Sequence, residues 1–165
     1  MLASDARYGA RLEGFDYPHP VQIHAFESQR QALEMAYLDV APTAPANGRT
    51  VLLLHGKNFC AATWESAIGA LTAAGYRVVA PDQIGFCKSG KPERYQYSFA
   101  QLAGNTHALL QSLGIRSVML IPLQAPSGTL GVLTFVKSSD ARTFSEADVS
   151  FASELGRRSA AGAQG

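Results

Sequence analysis

The sequence lacks an excess of charge of either sign: 14 Lys and Arg face 13 Asp and Glu among 165 residues, a formal net charge of +1. With no one-signed field to steer a polyanion, neither nucleic acid nor an anionic membrane is expected as a partner. No apolar run approaches the roughly 20 residues that span a bilayer, and the opening MLASDARYGARLEGFDY has no apolar h-region, so a soluble, cytoplasmic product is expected. Cysteine is scarce. Cys60 and Cys87 cannot make a disulfide framework, and neither sits in a C-x-x-C pair or beside a His at zinc spacing. Both are expected as small, reduced, buried thiols. They do fall just past the ends of strands expected to be neighbours, but a bridge needs a Cα separation that sequence does not supply. Histidine is scarce too, and none follows His107. His19 and His24 lie on opposite faces of an extended segment, and His107 has no acidic or His partner one turn on, so no metal site is expected.

What is present is a globular composition, 47% apolar and 16% charged, with length for one domain of ordinary size. Residues 20–27 and 32–40 alternate at period two around a polar SQRQ turn and read as an antiparallel hairpin. TVLLLH, residues 50–55, is apolar without alternation, as is a strand covered on both faces. Residues 64–74 read as a helix with Thr63 as N-cap and Gly75 at C′, and residues 76–80 as the next buried strand, completing a βαβ unit. After a long loop, Ser98 opens a helix with an S-F-A-Q capping box that runs to Leu113 and ends at Gly114. Residues 117–123 and 129–136 form a second antiparallel pair around QAPSG. A last helix starts at the Ser145 cap and is expected to carry Phe151, Ala152 and Leu155 inward, before the Ala- and Gly-rich end, which is expected to be disordered.

Residues 17–116 resemble the N-terminal portion of an α/β-hydrolase: the hairpin, the strand ending in His55-Gly56, HGKNFCAATW, the VVAPDQIGFCKS loop and the SFAQLAGNTHALLQSLGI helix stand in that family's order. In that family the backbone N–H after His-Gly is half of the oxyanion hole. The resemblance therefore implies an oxyanion loop of His55, Gly56, Lys57 and Asn58, with Lys57 as donor. His55 itself is expected to be structural and not a general base. Where relatives often show D-x-x-G-x-G-x-S, Cys87 replaces a glycine, which implies a stiffer loop. The same stretch, Gly85 to Lys91, spells G-x-x-x-x-G-K, but Pro92 follows where a P-loop needs Ser or Thr, so a phosphate cradle is not expected.

The family's G-x-S-x-G elbow, the turn that raises a serine above the sheet, is absent. In its place stands IPLQAPSG, whose Ser127 is read as part of a β-turn and not as a displaced nucleophile. Residues 117–162 instead resemble the closing part of a GAF sensor domain: a P-L strand, a G-x-L-G-V-L-T strand, then F-S-x-x-D opening an A-x-E-L-x-R-R-x-A helix.

The expected fold class is thus α/β, a partial hydrolase-like mixed sheet of N-terminal hairpin plus parallel strands, completed by a GAF-like β-hairpin and C-terminal helix. Residues 1–116 and 117–165 are expected to pack as one unit, with TVLLLH between residues 76–80 and 117–123 and with 129–136 at the edge. The expected function is that of a hydrolase-like protein without nucleophile elbow or triad, catalytically incomplete and without cofactor; any activity would be of the serine hydrolase type. One alternative is a module that binds a small molecule in the residual cleft or pairs with a second copy through its last helix. The other is a truncated or rearranged product of an esterase-type gene.

Overall fold

The computed structural model describes residues 8–115, 117–125, 128–137 and 144–162. The readings of residues 1–7, Ser127 and residues 163–165 lie outside these. Six strands share one sheet: β1 (Val21–Ser28), β2 (Gln31–Val40), β3 (Arg49–Leu52), β4 (Arg77–Pro81), β5 (Ser117–Ala125) and β6 (Gly128–Lys137), in the order β1-β2-β4-β3-β6-β5. Three helices, α1 (Glu65–Ala73), α2 (Phe99–Ser112) and α3 (Glu146–Gly162), complete it.

The β1–β2 hairpin turns on Gln29 and Arg30, both at positive φ, the hand that a two-residue turn needs to match strand twist. β2 then runs inside the sheet between β1 and β4. Ala32 and Glu34 still face solvent, but from Met35 to Leu38 its side chains are buried on both faces. Leu33, Met35 and Tyr37 join Val79, Ile84, Leu109 and Leu110 under α2, while Leu38 joins Val78, Ala80 and Ile68 under α1. β3 and β4 are parallel, Thr50 to Leu52 opposite Arg77 to Val79, and Arg77 clasps Asp39 of β2 through two hydrogen bonds of 2.7 and 2.6 Å.

Two local expectations fail for identifiable reasons. Thr63 does not cap α1: a 3₁₀ turn, Ala61–Trp64, intervenes, and the Thr63 hydroxyl donates to the Cys60 carbonyl inside it. Ser98 does cap α2, accepting from Gln101 N–H, but Gln101 does not close the box; its amide donates to Ser28 and Asn105 instead. The two glycine stops hold. Gly75 and Gly114 sit at positive φ, and Tyr76 and Ile115 donate back to Leu71 and Leu110, the bond of a Schellman ending.

The C-terminal hairpin enters the sheet the other way round from the expected order. β6, not β5, lies against β3, pairing antiparallel through Arg49, Thr50 and Val51, and β5 takes the edge. Pro122 lies in β5 and has no N–H to donate, so the edge is the position that tolerates it. In α3, Ala152 is buried but Phe151 is 70% exposed, so the inward face is one residue offset from the expected one. The structure does not describe the side chain of Leu155.

Candidate functional site

Two loops leave the carboxyl ends of the parallel strands: residues 53–60 after β3 and residues 82–98 after β4. In an open α/β sheet the space outside those ends is where a ligand crevice forms. His55 links the two loops. Its Nε2 accepts from the Gln83 backbone N–H at 2.9 Å, which leaves the proton on Nδ1, and Nδ1 lies 2.9 Å from the Gly56 carbonyl. Both ring nitrogens are engaged, so His55 holds the loop and has no free lone pair for a general base. The ring also sits edge-on to Phe86, centroids 5.4 Å apart. Beyond it Asn58 takes positive φ, Phe59 N–H donates to Gly56 O, and Lys57 and Asn58 stand exposed at the turn.

Asp82, fully buried, is the hub beneath. Its Oδ1 accepts from Ala61 N–H at 2.7 Å; its Oδ2 accepts from the Tyr17 hydroxyl at 2.6 Å and from Lys88 N–H at 3.0 Å. Burial, and then the bond to Asp82, push the Tyr17 hydroxyl far above the usual tyrosine range. Ser89 adds a second tie, accepting from Ala36 N–H and donating to the Asp82 carbonyl. Sequence reading passed over these residues. The D-x-x-G stretch after an apolar strand was the signal for Asp82, but nothing near Tyr17 marks a partner 65 positions away.

The expectation of two reduced cysteines is overturned: Cys60 and Cys87 form a disulfide, with Cα atoms 5.8 Å apart. Parallel neighbours β3 and β4 deliver both loops to one place, and Cys87 occupies the glycine-like position at φ +46 that points its sulfur at Cys60. Asp82 lies close to both sulfurs, a group that could hold a metal only with the bridge open. The phosphate-loop lookalike proves to be a self-bonded turn: Lys91 Nζ donates to the carbonyls of Cys87 and Ser89, and Gly85 N–H to Gly90 O. His24 is stacked on Phe26, and burial pulls it below its ordinary value.

A cavity of about 430 Å³ opens between β3 and α2, its apolar wall made by Leu52, Leu54, Leu102 and Leu110, with His55, Gln83, Thr106 and His107 as its polar groups. Gln83 spans it from the inside, donating to the Thr106 hydroxyl at 3.1 Å while its backbone holds His55. His107 is exposed at the rim.

The family model of the α/β hydrolase fold matches residues 49–121, from β3 into β5. A crystal structure of a probable hydrolytic enzyme from Pseudomonas aeruginosa PAO1 superposes with a TM-score of 0.63 at 69% identity, covering 65% of this chain and 34% of that one. The chain has the α/β-hydrolase fold. Among the curated relatives, a haloalkane dehalogenase of Psychrobacter cryohalolentis is 31% identical over 142 residues, 85% of this chain and 45% of its own length. One of Mycobacterium marinum is 40% identical over 91 residues, 54% of this chain and 29% of its own. The chain thus spans less than half the length of these relatives. The Psychrobacter alignment necessarily extends past residue 116, so similarity to a haloalkane dehalogenase reaches into residues 117–162, for which a GAF-like segment was expected. No helix among the described residues is long and apolar enough to cross a membrane.

Proposed function

We propose that this chain is a non-catalytic α/β-hydrolase relative that keeps the oxyanion loop, His55 to Asn58, and one wall of the cleft without the group they would serve. One observation carries this reading. The strand that follows α2 is succeeded by a second strand, with β5 pairing antiparallel to β6, so among the described residues no strained strand-to-helix turn lifts a nucleophile over the cleft. The His55 ring, with both nitrogens engaged, supports the same conclusion from the base side. An oxyanion donor without an attacking group has little charge to stabilise. Purified chain is therefore expected to hydrolyse p-nitrophenyl acetate at background rate and to release no halide from a haloalkane, the substrate class named for the curated relatives. Ester turnover lost on Lys57→Pro, which deletes the donor N–H, would overturn the proposal, as would a covalent fluorophosphonate adduct at a single side chain.

A second reading is favoured by α3, where Val149 (43% exposed) and Phe151 (70% exposed) turn apolar surface outward beside buried Ala152. On this reading the GAF-like end pairs two copies. Light scattering after size exclusion is expected to give a dimer that Phe151→Glu splits; a monomer unchanged by the substitution discards it.

A further inference from the structure

The cystine is not the only tie between the two loops, and that redundancy has a chemical meaning. Cys60 ends the loop after β3 and Cys87 lies 27 residues on in the loop after β4. The residue after Cys60, Ala61, and the residue after Cys87, Lys88, both donate backbone N–H bonds to the same Asp82 carboxylate. When the S–S bond is open, Asp82 still holds the two cysteines side by side, so closure needs no search. The Cys87 sulfur is 3.2 Å from the Phe59 carbonyl, an acceptor already in place for its thiol. Both cysteines are half-buried and within reach of solvent. Cys87 meanwhile holds a positive φ that a non-glycine residue adopts at a cost, and the bond fixes it there.

We propose that Cys60–Cys87 is a reversible thiol–disulfide site that tightens and loosens the rim of the cleft, residues 56–60 and 86–87, above the Asp82 tie and without unfolding the sheet below. The reductant is a dithiol. Its thiolate attacks one sulfur of the pair, the Cys60–Cys87 bond breaks and a mixed disulfide forms; its second thiol then displaces the protein sulfur. Two electrons and two protons pass to the protein, which gains two thiols, and the dithiol leaves as its own disulfide. A cystine of this kind suits a reducing compartment, where bridges are transient and not structural. The inference does not depend on whether the chain turns over a substrate.

The test uses the full chain, oxidised and without denaturant, titrated with dithiothreitol and then diamide while thiols are counted and amide hydrogen exchange is followed. Two thiols per chain are expected to appear, with exchange rising several-fold in residues 56–60 and 86–87, staying unchanged at Lys88 and at Val78 to Ala80, and reverting on reoxidation. Cys60→Ser is expected to copy the reduced pattern. A bridge that opens only in denaturant, thiols that diamide cannot remove, global unfolding on reduction, or an exchange pattern identical in both states would each overturn the proposal. If the variant fails to fold, the wild-type cycle alone decides.

Discussion

Asp82 accepts bonds at both oxygens from three donors while fully buried, so the residue tolerates no partial substitute. In Asp82→Asn the amide nitrogen meets a donor whichever way it is turned, and a loss of about 3 kcal/mol is expected in urea unfolding; a loss below about 1 kcal/mol would mean that the hub is dispensable. Tyr17 gives the same network a pH signature. Its folded value is raised above the ordinary 10.0, so the neutral hydroxyl is favoured by folding. The stabilisation is complete below that ordinary value and falls away as pH rises past it, because the unfolded chain ionises first. Stability measured between pH 8 and 11 is expected to fall less steeply at its alkaline end in Tyr17→Phe than in the parent. Equal slopes would mean that neither burial nor Asp82 holds the Tyr17 hydroxyl neutral. His24 works in the opposite sense: its value is lowered by burial, and its Nε2 has no hydrogen-bond partner among the described residues. Acidification through the ordinary histidine range protonates the unfolded state first and removes stability, and His24→Phe is expected to abolish that acid-side loss while keeping the stack on Phe26.

At the scale of elements, what sequence made legible was what local chemistry decides. The stops at Gly75 and Gly114, the Ser98 cap and both hairpins follow from residues within a few positions of one another. What it misread was decided by rival hydrogen-bond partners, some of them distant in the chain. Thr63 spends its hydroxyl on Cys60 O three residues back, and Gln101 is drawn off by Asn105 one turn on and by Ser28, which the packing of α2 on the hairpin brings near. The cystine depends on a distant partner too: the ends of β3 and β4 put Cys60 and Cys87 in neighbouring loops, but the 5.8 Å separation exists only in the folded loops, where Asp82 binds the residue after each cysteine. For residues 55–58 resemblance supplies only the proposal of an oxyanion loop, whereas the engagement of both His55 nitrogens is visible only with Gln83 in position. Gly75 offers the sharpest test at this scale. It sits at φ +86, and an added Cβ would lie 2.6 Å from the Pro45 carbonyl oxygen, so Gly75→Ala combines backbone strain with a clash against backbone. A cost above about 1 kcal/mol is expected, beyond the ~1 kcal/mol for removing the Ser98 cap with Ser98→Ala. The reverse ranking would remove the loop at Pro45 from the account of how α1 ends.

For the whole molecule, the question is whether residues after 116 finish the sheet or merely trail from it. β3 is four residues long and central: β4 pairs one side of it at Thr50 to Leu52, and β6 pairs the other at Arg49 to Val51. Without β6 the N–H and C=O groups on that side of β3 would face water beside Thr50 and Val51, which are 2% and 8% exposed with it in place. An open edge on a buried, apolar strand is a template for pairing with another chain. The sequence order of the C-terminal hairpin could not be foreseen from pattern, because either of its strands satisfies an apolar neighbour; Pro122 makes β5 the one suited to the edge. A chain ending at residue 116 is therefore expected to melt well below the full chain and to associate as its concentration rises, read by a thermal scan and by light scattering across a dilution series. If that shortened chain stayed monomeric with an unchanged melting temperature, β6 would contribute nothing to β3. The hairpin would then be an attachment to a self-sufficient front portion, and the absent strand-to-helix turn could no longer be explained by its place having been taken.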